Sequence, residues 1–173
     1  SGSSDKTIKV WDAETGQVHQ TLKGHSSGVN SVAITPDGRT IISGSYDHTV
    51  KVWDAESGRD RQTLKGHSSG VNSVAITPDG KTVVSGSSDG TIKVWELVSG
   101  NLMAEYKCDS SISSVAIAGS TIIANGHAGD VHVFDFIQPE EAHQVVESTI
   151  PLQRMTSKES KSILILFNSF SEN

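Results

Sequence analysis

Residues 21–38 read TLKGHSSGVNSVAITPDG, and the same stretch returns unchanged as residues 63–80. Working outward from this pair, residues 24–65 set against 66–107 match at 27 of 42 positions. Trp11, Trp53 and Trp95 keep the same 42-residue offset, as do Asp5, Asp47 and Asp89, and His25 and His67. A fixed period of this length means that one supersecondary unit is repeated and stacked.

Within the unit, residues 29–35 have the composition of a half-buried strand, and Thr35-Pro36-Asp37-Gly38 is a turn in which proline presets the dihedral of the second residue. Residues 40–44, 49–54 and 59–65 supply three more strands, separated by Asp47-His48 and Ser57-Gly58. Each unit is therefore expected to be a sheet of four short antiparallel strands in an all-β fold. Such a sheet cannot hide both apolar faces alone, so neighbouring sheets stack, as blades of a β-propeller or, less suited to this period, as a β-solenoid.

The pairs Gly24-His25 and Gly66-His67, with strands ending Val52-Trp53-Asp54 and Val94-Trp95-Glu96, resemble the WD-repeat family over residues 1 to about 136. The resemblance implies propeller blades: a partial blade over residues 1–23, repeats over 24–65 and 66–107, a degenerate terminal blade over 108–150, and a tail over 151–173. Ser1 aligns with Ser43 and Ser85, so the chain opens on the second strand of a blade and is expected to be a piece of a larger propeller. The alternative is a four-bladed ring in which the apolar run 162–167 pairs with the first blade to close it. In the fourth unit Cys108-Asp109 stands where Gly-His stood, Ala124 and Ala128 replace serine and aspartate, and Phe134 replaces tryptophan. The polar network of the repeats is expected to be absent there, while a strand near Val145 could complete the sheet.

Ser43, His25 and Asp47, repeated as Ser85, His67 and Asp89, are the parts of a hydrolytic triad. A serine hydrolase is nevertheless a poor reading, because no G-x-S-x-G elbow presents either serine as a nucleophile. The family resemblance implies a structural tetrad instead, with the Trp53 or Trp95 indole donating to serine, serine to histidine and histidine to aspartate. Ser1, Asp5 and Trp11 form a partial set. The resemblance also implies a partner-docking face carrying Ser4, Tyr46 and Ser88, which precede the tetrad aspartates, together with Asn30 and Asn72. Tyr46 is the best anchor on it, since an exposed tyrosine offers apolar area and a hydroxyl at low entropic cost. Between the two full units the first three strands and their turns are largely copied, whereas Tyr46 becomes Ser88, His48 becomes Gly90, and Arg59-Asp60-Arg61 becomes Asn101-Leu102-Met103. A copied scaffold with altered tips suits recognition.

Composition removes other classes. The 173 residues carry a net charge of −6, but residues 1–107 hold 11 basic and 12 acidic groups and are nearly neutral. Without a basic stripe, neither nucleic acid nor an anionic membrane surface is an expected partner. The single cysteine, Cys108, builds neither a disulfide nor a cysteine metal site, which points to a cytoplasmic setting. The remaining histidines lack metal-ligand spacing and no phosphate-binding glycine motif occurs, so no metal or cofactor is expected. Lys9, Lys51 and Lys93 recur before Val-Trp and are expected to form a solvated rim.

The function expected is thus a non-catalytic scaffold binding a protein or peptide. The alternative is the C-terminal ligand-sensing array of a larger signalling nucleotide hydrolase. Open sheet edges would favour self-association.

Overall fold

The structure, a computed structural model, describes residues 1–136 and 161–164. These residues form strands and no helix. Strands β1 (Thr7–Trp11) and β2 (Val18–Lys23) make the first sheet, and a bridge between Gly2 and Ile8 adds a short third edge to it. The second sheet holds β3 (Val29–Ile34), β4 (Thr40–Ser45), β5 (Val50–Asp54) and β6 (Asp60–Leu64) in sequence order. The third repeats it with β7 (Val71–Ile76), β8 (Thr82–Ser87), β9 (Thr91–Glu96) and β10 (Leu102–Lys107). The fourth contains β11 (Ile112–Ala118), β12 (Thr121–Gly126), β13 (Val131–Phe136) and β14 (Lys161–Leu164). The second and third sheets are antiparallel throughout and have the form of propeller blades.

Two expectations about the fourth sheet are corrected. Its outer strand β14 is parallel to β13, so the sheet is not wholly antiparallel. That same segment pairs with β13 rather than with the opening sheet, so the described part of the run 162–167 does not close a ring. The strand sought near Val145 lies outside the described residues.

The core lies between sheets. Ile8 and Leu22 of the first sheet pack on Val29, Ile41 and Trp53 of the second. Ile42, Val50, Val52 and Leu64 of the second meet Val71, Val74, Val83 and Trp95 of the third. Val84, Ile92 and Val94 of the third then meet Ile112, Val115, Ile122 and Phe134 of the fourth. Every residue of β4 and β8 is buried, because each of those strands faces a neighbour on both sides.

A β-bulge sets the phase of each innermost strand. The register shifts between Val29 and Ser31, between Val71 and Ser73, and between Ile112 and Ser114. In a regular strand residues three apart face opposite sides, and the extra residue brings Val71 and Val74 onto one side. Both press on Gly44, where an added Cβ would lie 2.6 Å from Val71 Cγ1 and 3.1 Å from Val74 Cγ1. Gly86 receives Ile112 in the same way, with a Cβ only 2.5 Å from its Cγ2, and Gly2 receives Val29 at 2.7 Å. Glycine is required here for close approach between sheets. At the matching register position of the fourth sheet stands Asn125, opposite Ser114 as Gly44 is opposite Ser31.

Two members of the lysine row, Lys51 and Lys93, do not stand as a solvated rim. Lys93 is 4% exposed and donates to Glu105, which lies directly opposite it on β10. Lys51 donates to Asp60 and to Thr63 Oγ1, and its ammonium stands 5.7 Å from the Trp53 ring centroid. The stems lie along the sheet and the charges are spent across the outer strand pair, where an aliphatic chain can be buried and its head still paired.

Filling a glycine seat should therefore separate two sheets. Gly86→Ala is expected to lower stability by about 1–3 kcal/mol, the usual range for overpacking a well-filled core. Urea unfolding followed by tryptophan fluorescence checks this, and a midpoint equal to that of the parent would refute it.

Candidate functional site

The face carrying the β4–β5 and β8–β9 turns is held by two matching hydrogen-bond chains. His25 precedes β3, Ser43 lies on β4, Asp47 in the β4–β5 turn and Trp53 on β5. The Trp53 indole donates to Ser43 Oγ at 2.8 Å, His25 Nε2 lies 2.8 Å from the same hydroxyl, and His25 Nδ1 lies 2.7 Å from Asp47 Oδ2. In the next unit Trp95 donates to Ser85 at 2.8 Å, His67 Nε2 is 2.8 Å from Ser85, and Nδ1 is 2.9 Å from Asp89. One assignment satisfies every group: indole N–H to serine oxygen, serine hydroxyl to Nε2, and Nδ1–H to carboxylate. The imidazole is then neutral. The aspartates also accept the backbone N–H of Ser26 and of Ser68, so each chain ties the loop entering a sheet to the turn between its second and third strands.

Burial sets the charges. It pushes both histidines below their ordinary pKa, against the opposing pull of Asp47 and Asp89. Burial also raises Asp47, but hydrogen bonds from Thr49, His25 and the Ser26 N–H outweigh it and hold the carboxyl at about 2. Asp89 is lowered likewise by Thr91, Ser68 and His67. Ser43 and Ser85 are fully buried, and each oxygen already accepts an indole N–H. These serines therefore cannot serve as acyl-transfer nucleophiles. Of the partial set, Trp11 donates to Ser1 Oγ at 3.0 Å, while Asp5 accepts from Thr7 and does not meet Ser1.

The tetrad of the repeats is absent from the described fourth sheet, where Ala124 and Ala128 stand in place of serine and aspartate, and a polar set of different composition is found there. Ser110 donates to Asp130 at 3.0 Å, and His132 Nε2 lies 2.6 Å from Asp130 Oδ2. The His132 ring stacks on Phe134, with centroids 6.1 Å apart. Asp130 thus ties the entering loop from two positions beyond Ala128, which stands in the tetrad aspartate's place. The sequence signal is weak because this set keeps the function of the tetrad and moves its positions.

A cleft of about 490 Å³ opens on this face, lined by Asn30, Tyr46, Asn72, Ser88, Ser111, Ser113 and His127. Four of the five residues expected on the partner face line it. Ser4 does not: it is exposed, and packs beside Gly28 at the first sheet. Asn30 and Asn72 are bulge residues, turned toward the next sheet, where their amides donate to Val71 O at 2.9 Å and Ile112 O at 2.7 Å. They are structural ties as well as cleft walls. Tyr46 is 58% exposed, and its ring stands over two loops: a Cβ added to Gly70 would lie 2.8 Å from its Cδ1, and one added to Gly28 3.6 Å from its Cδ2. Ser111, Ser113 and His127 were not singled out from the sequence. Register supplies the missing signal, since Ser113 occupies the bulge of Asn30 and Asn72, and His127 follows β12 as Tyr46 follows β4.

The model of the WD domain, G-beta repeat, matches residues 16–54 and 58–96. The Lissencephaly-1 homolog of Caenorhabditis briggsae is 56% identical over 39 residues, which is 22% of this chain and 10% of that protein. Nuclear distribution protein PAC1 of Mycosarcoma maydis is 45% identical over 42 residues, covering 24% of this chain and 9% of that protein. PAC1 of Arthroderma benhamiae is 49% identical over 43 residues, with 25% and 9% covered. The matched part spans about a tenth of the length of these curated relatives.

Two outcomes follow from the hydrogen-bond chains. Asp47→Ala leaves the His25 N–H buried without an acceptor and should cost about 1–3 kcal/mol, measured by chemical unfolding. Histidines with lowered pKa lose stability as pH falls below the unfolded value of about 6.5. The lowered aspartates add a second loss as pH falls from about 4 toward 2. The melting temperature should accordingly decline in two stages on acidification, and the Asp47→Ala variant should lose part of the second, to which the lowered Asp47 carboxyl contributes.

In the fourth sheet, Asp130→Ala should speed amide exchange of the loop around Ser110 while leaving the second sheet unchanged. Hydrogen-exchange mass spectrometry reads this directly.

Proposed function

We propose that this chain, whose residues 16–54 and 58–96 are WD repeats, is a non-catalytic platform that binds a protein or peptide across the cleft between Tyr46 and His127. One observation carries the reading: the exposed Tyr46 ring is fixed at the mouth of a cleft whose walls are themselves tied to the scaffold. A preformed wall loses little conformational entropy on binding, which favours affinity per contact. Repeat comparison adds support. The fastening residues are the same in both units, whereas the cleft position held by Tyr46 is Ser88 in the next. The single cysteine and the nuclear-distribution relatives fit a cytoplasmic setting.

The decisive residue is exposed, so it can be altered without disturbing the core. Tyr46→Ala is expected to weaken capture of the chain's protein partner at least about tenfold, the loss of an interface anchor of roughly 1.4 kcal/mol or more, with an unchanged melting temperature. Quantitative affinity purification with parent, Tyr46→Ala and an Arg59→Ala control tests this. Partners retained equally by all three would refute docking at this cleft.

A further inference from the structure

Asn72, Ser111 and Ser113 in the cleft walls spend their side-chain donors inward. Both N–H bonds of the Asn72 amide are used, on Ile112 O and on Ser88 Oγ, and the Asn30 amide donates to Val71 O. The Ser111 hydroxyl donates to Ser88 O and the Ser113 hydroxyl to Asn125 O, each at 3.0 Å. Among the described residues, neither asparagine Oδ1 takes part in a hydrogen bond. What the cleft holds in a fixed direction for a visitor is a pair of acceptors, the two amide oxygens, while the second Asn30 N–H and the Ser88, Tyr46 and His127 side chains keep donors of their own. Among the described residues no lysine or arginine lines it.

Charge and aromaticity agree with that census. Tyr46 and Ser88 are followed by Asp47 and Asp89, whose carboxylates are ionised within the hydrogen-bond chains beneath this face. The exposed Tyr46 ring presents a negative π-face. Lysine and arginine are the side chains that carry several donors and no acceptor, and both are attracted to an aromatic face. An acidic side chain would set acceptors against the two amide oxygens and bring charge of the same sign as Asp47 and Asp89.

We infer that the cleft recognises a basic side chain, arginine or lysine, on an extended segment of the partner, placed against Tyr46 and the amide oxygens of Asn30 and Asn72. This rests on the platform reading and narrows it. The cation supplies the donors that the two amide oxygens lack, and the flanking peptide runs across Ser88 and Ser111.

The test is an NMR titration of the isotope-labelled full chain with four synthetic peptides. These are acetyl-Gly-Ser-Arg-Ser-Gly-amide and its counterparts with lysine, citrulline or glutamate at the centre. The arginine and lysine peptides should give saturable shifts confined to Asn30, Tyr46, Asn72, Ser88 and His127. Citrulline keeps the shape of arginine without its charge and should bind at least about tenfold more weakly. Tyr46→Ala should weaken the arginine peptide by a similar factor, whereas Tyr46→Phe, which keeps the ring, should stay within about threefold. Binding of the citrulline or glutamate peptide at the cleft within about twofold of arginine would overturn basic recognition and leave the platform reading standing. Absence of shifts with all four peptides, or shifts away from the cleft, would also overturn it. The platform reading would then be decided by the Tyr46-dependent partner capture alone.

Discussion

A four-stranded sheet with apolar residues on both faces is stable only between neighbours, and that constraint governs the rest of this molecule. Burying a valine, leucine or isoleucine side chain contributes about 1.5–3 kcal/mol, and each of the three inter-sheet clusters contains several such residues. A hydrogen bond exchanged for one to water contributes only about 1 kcal/mol. The stacking of sheets therefore supplies most of the stabilisation, and the Trp-Ser-His-Asp chains decide which arrangement of loops accompanies it. Their weight lies in the cost of breaking them, since an indole and an imidazole are buried whether or not their partners are present.

The same stacking positions the cleft. A bulge is needed to put Val71 and Val74 on one side of β7, and its extra residue, Asn72, is thereby aimed toward the next sheet. Asn30 repeats this on β3, and Ser113 on β11. The asparagines and the serine that line the cleft are thus by-products of the phase correction that packs the core. Tyr46 joins them from the turn that the first hydrogen-bond chain holds in place.

Much of this was legible in the sequence because repetition made it so. An identical stretch at a fixed offset placed the strands of the second and third sheets to within a residue or two, and the family resemblance of the recurring tryptophan, serine, histidine and aspartate implied that these groups meet. The lysine row misled, since spacing alone does not distinguish a solvated cation from one whose stem lies along a sheet and whose head pairs with Glu105 or Asp60. Asn30 and Asn72 were placed on the outer face by resemblance, but their second commitment, to the neighbouring sheet, depends on bulges that no local propensity encodes. The Ser110-Asp130-His132 set was missed because its members occupy other positions than those they replace.

The glycine seats have a consequence for how such a chain is assembled over generations. Each copied stretch carries both halves of the junction, Val29 with Gly44 and Val71 with Gly86, so a tandem duplication of the encoding segment yields a module that fits the neighbour before it and the neighbour after it from its first translation. No compensating change elsewhere is needed. The two units agree at 27 of 42 positions, and their differences spare the seats, falling mostly along the outer strands β6 and β10 and in turn residues such as Tyr46 and Ser88, which neither half of the junction uses.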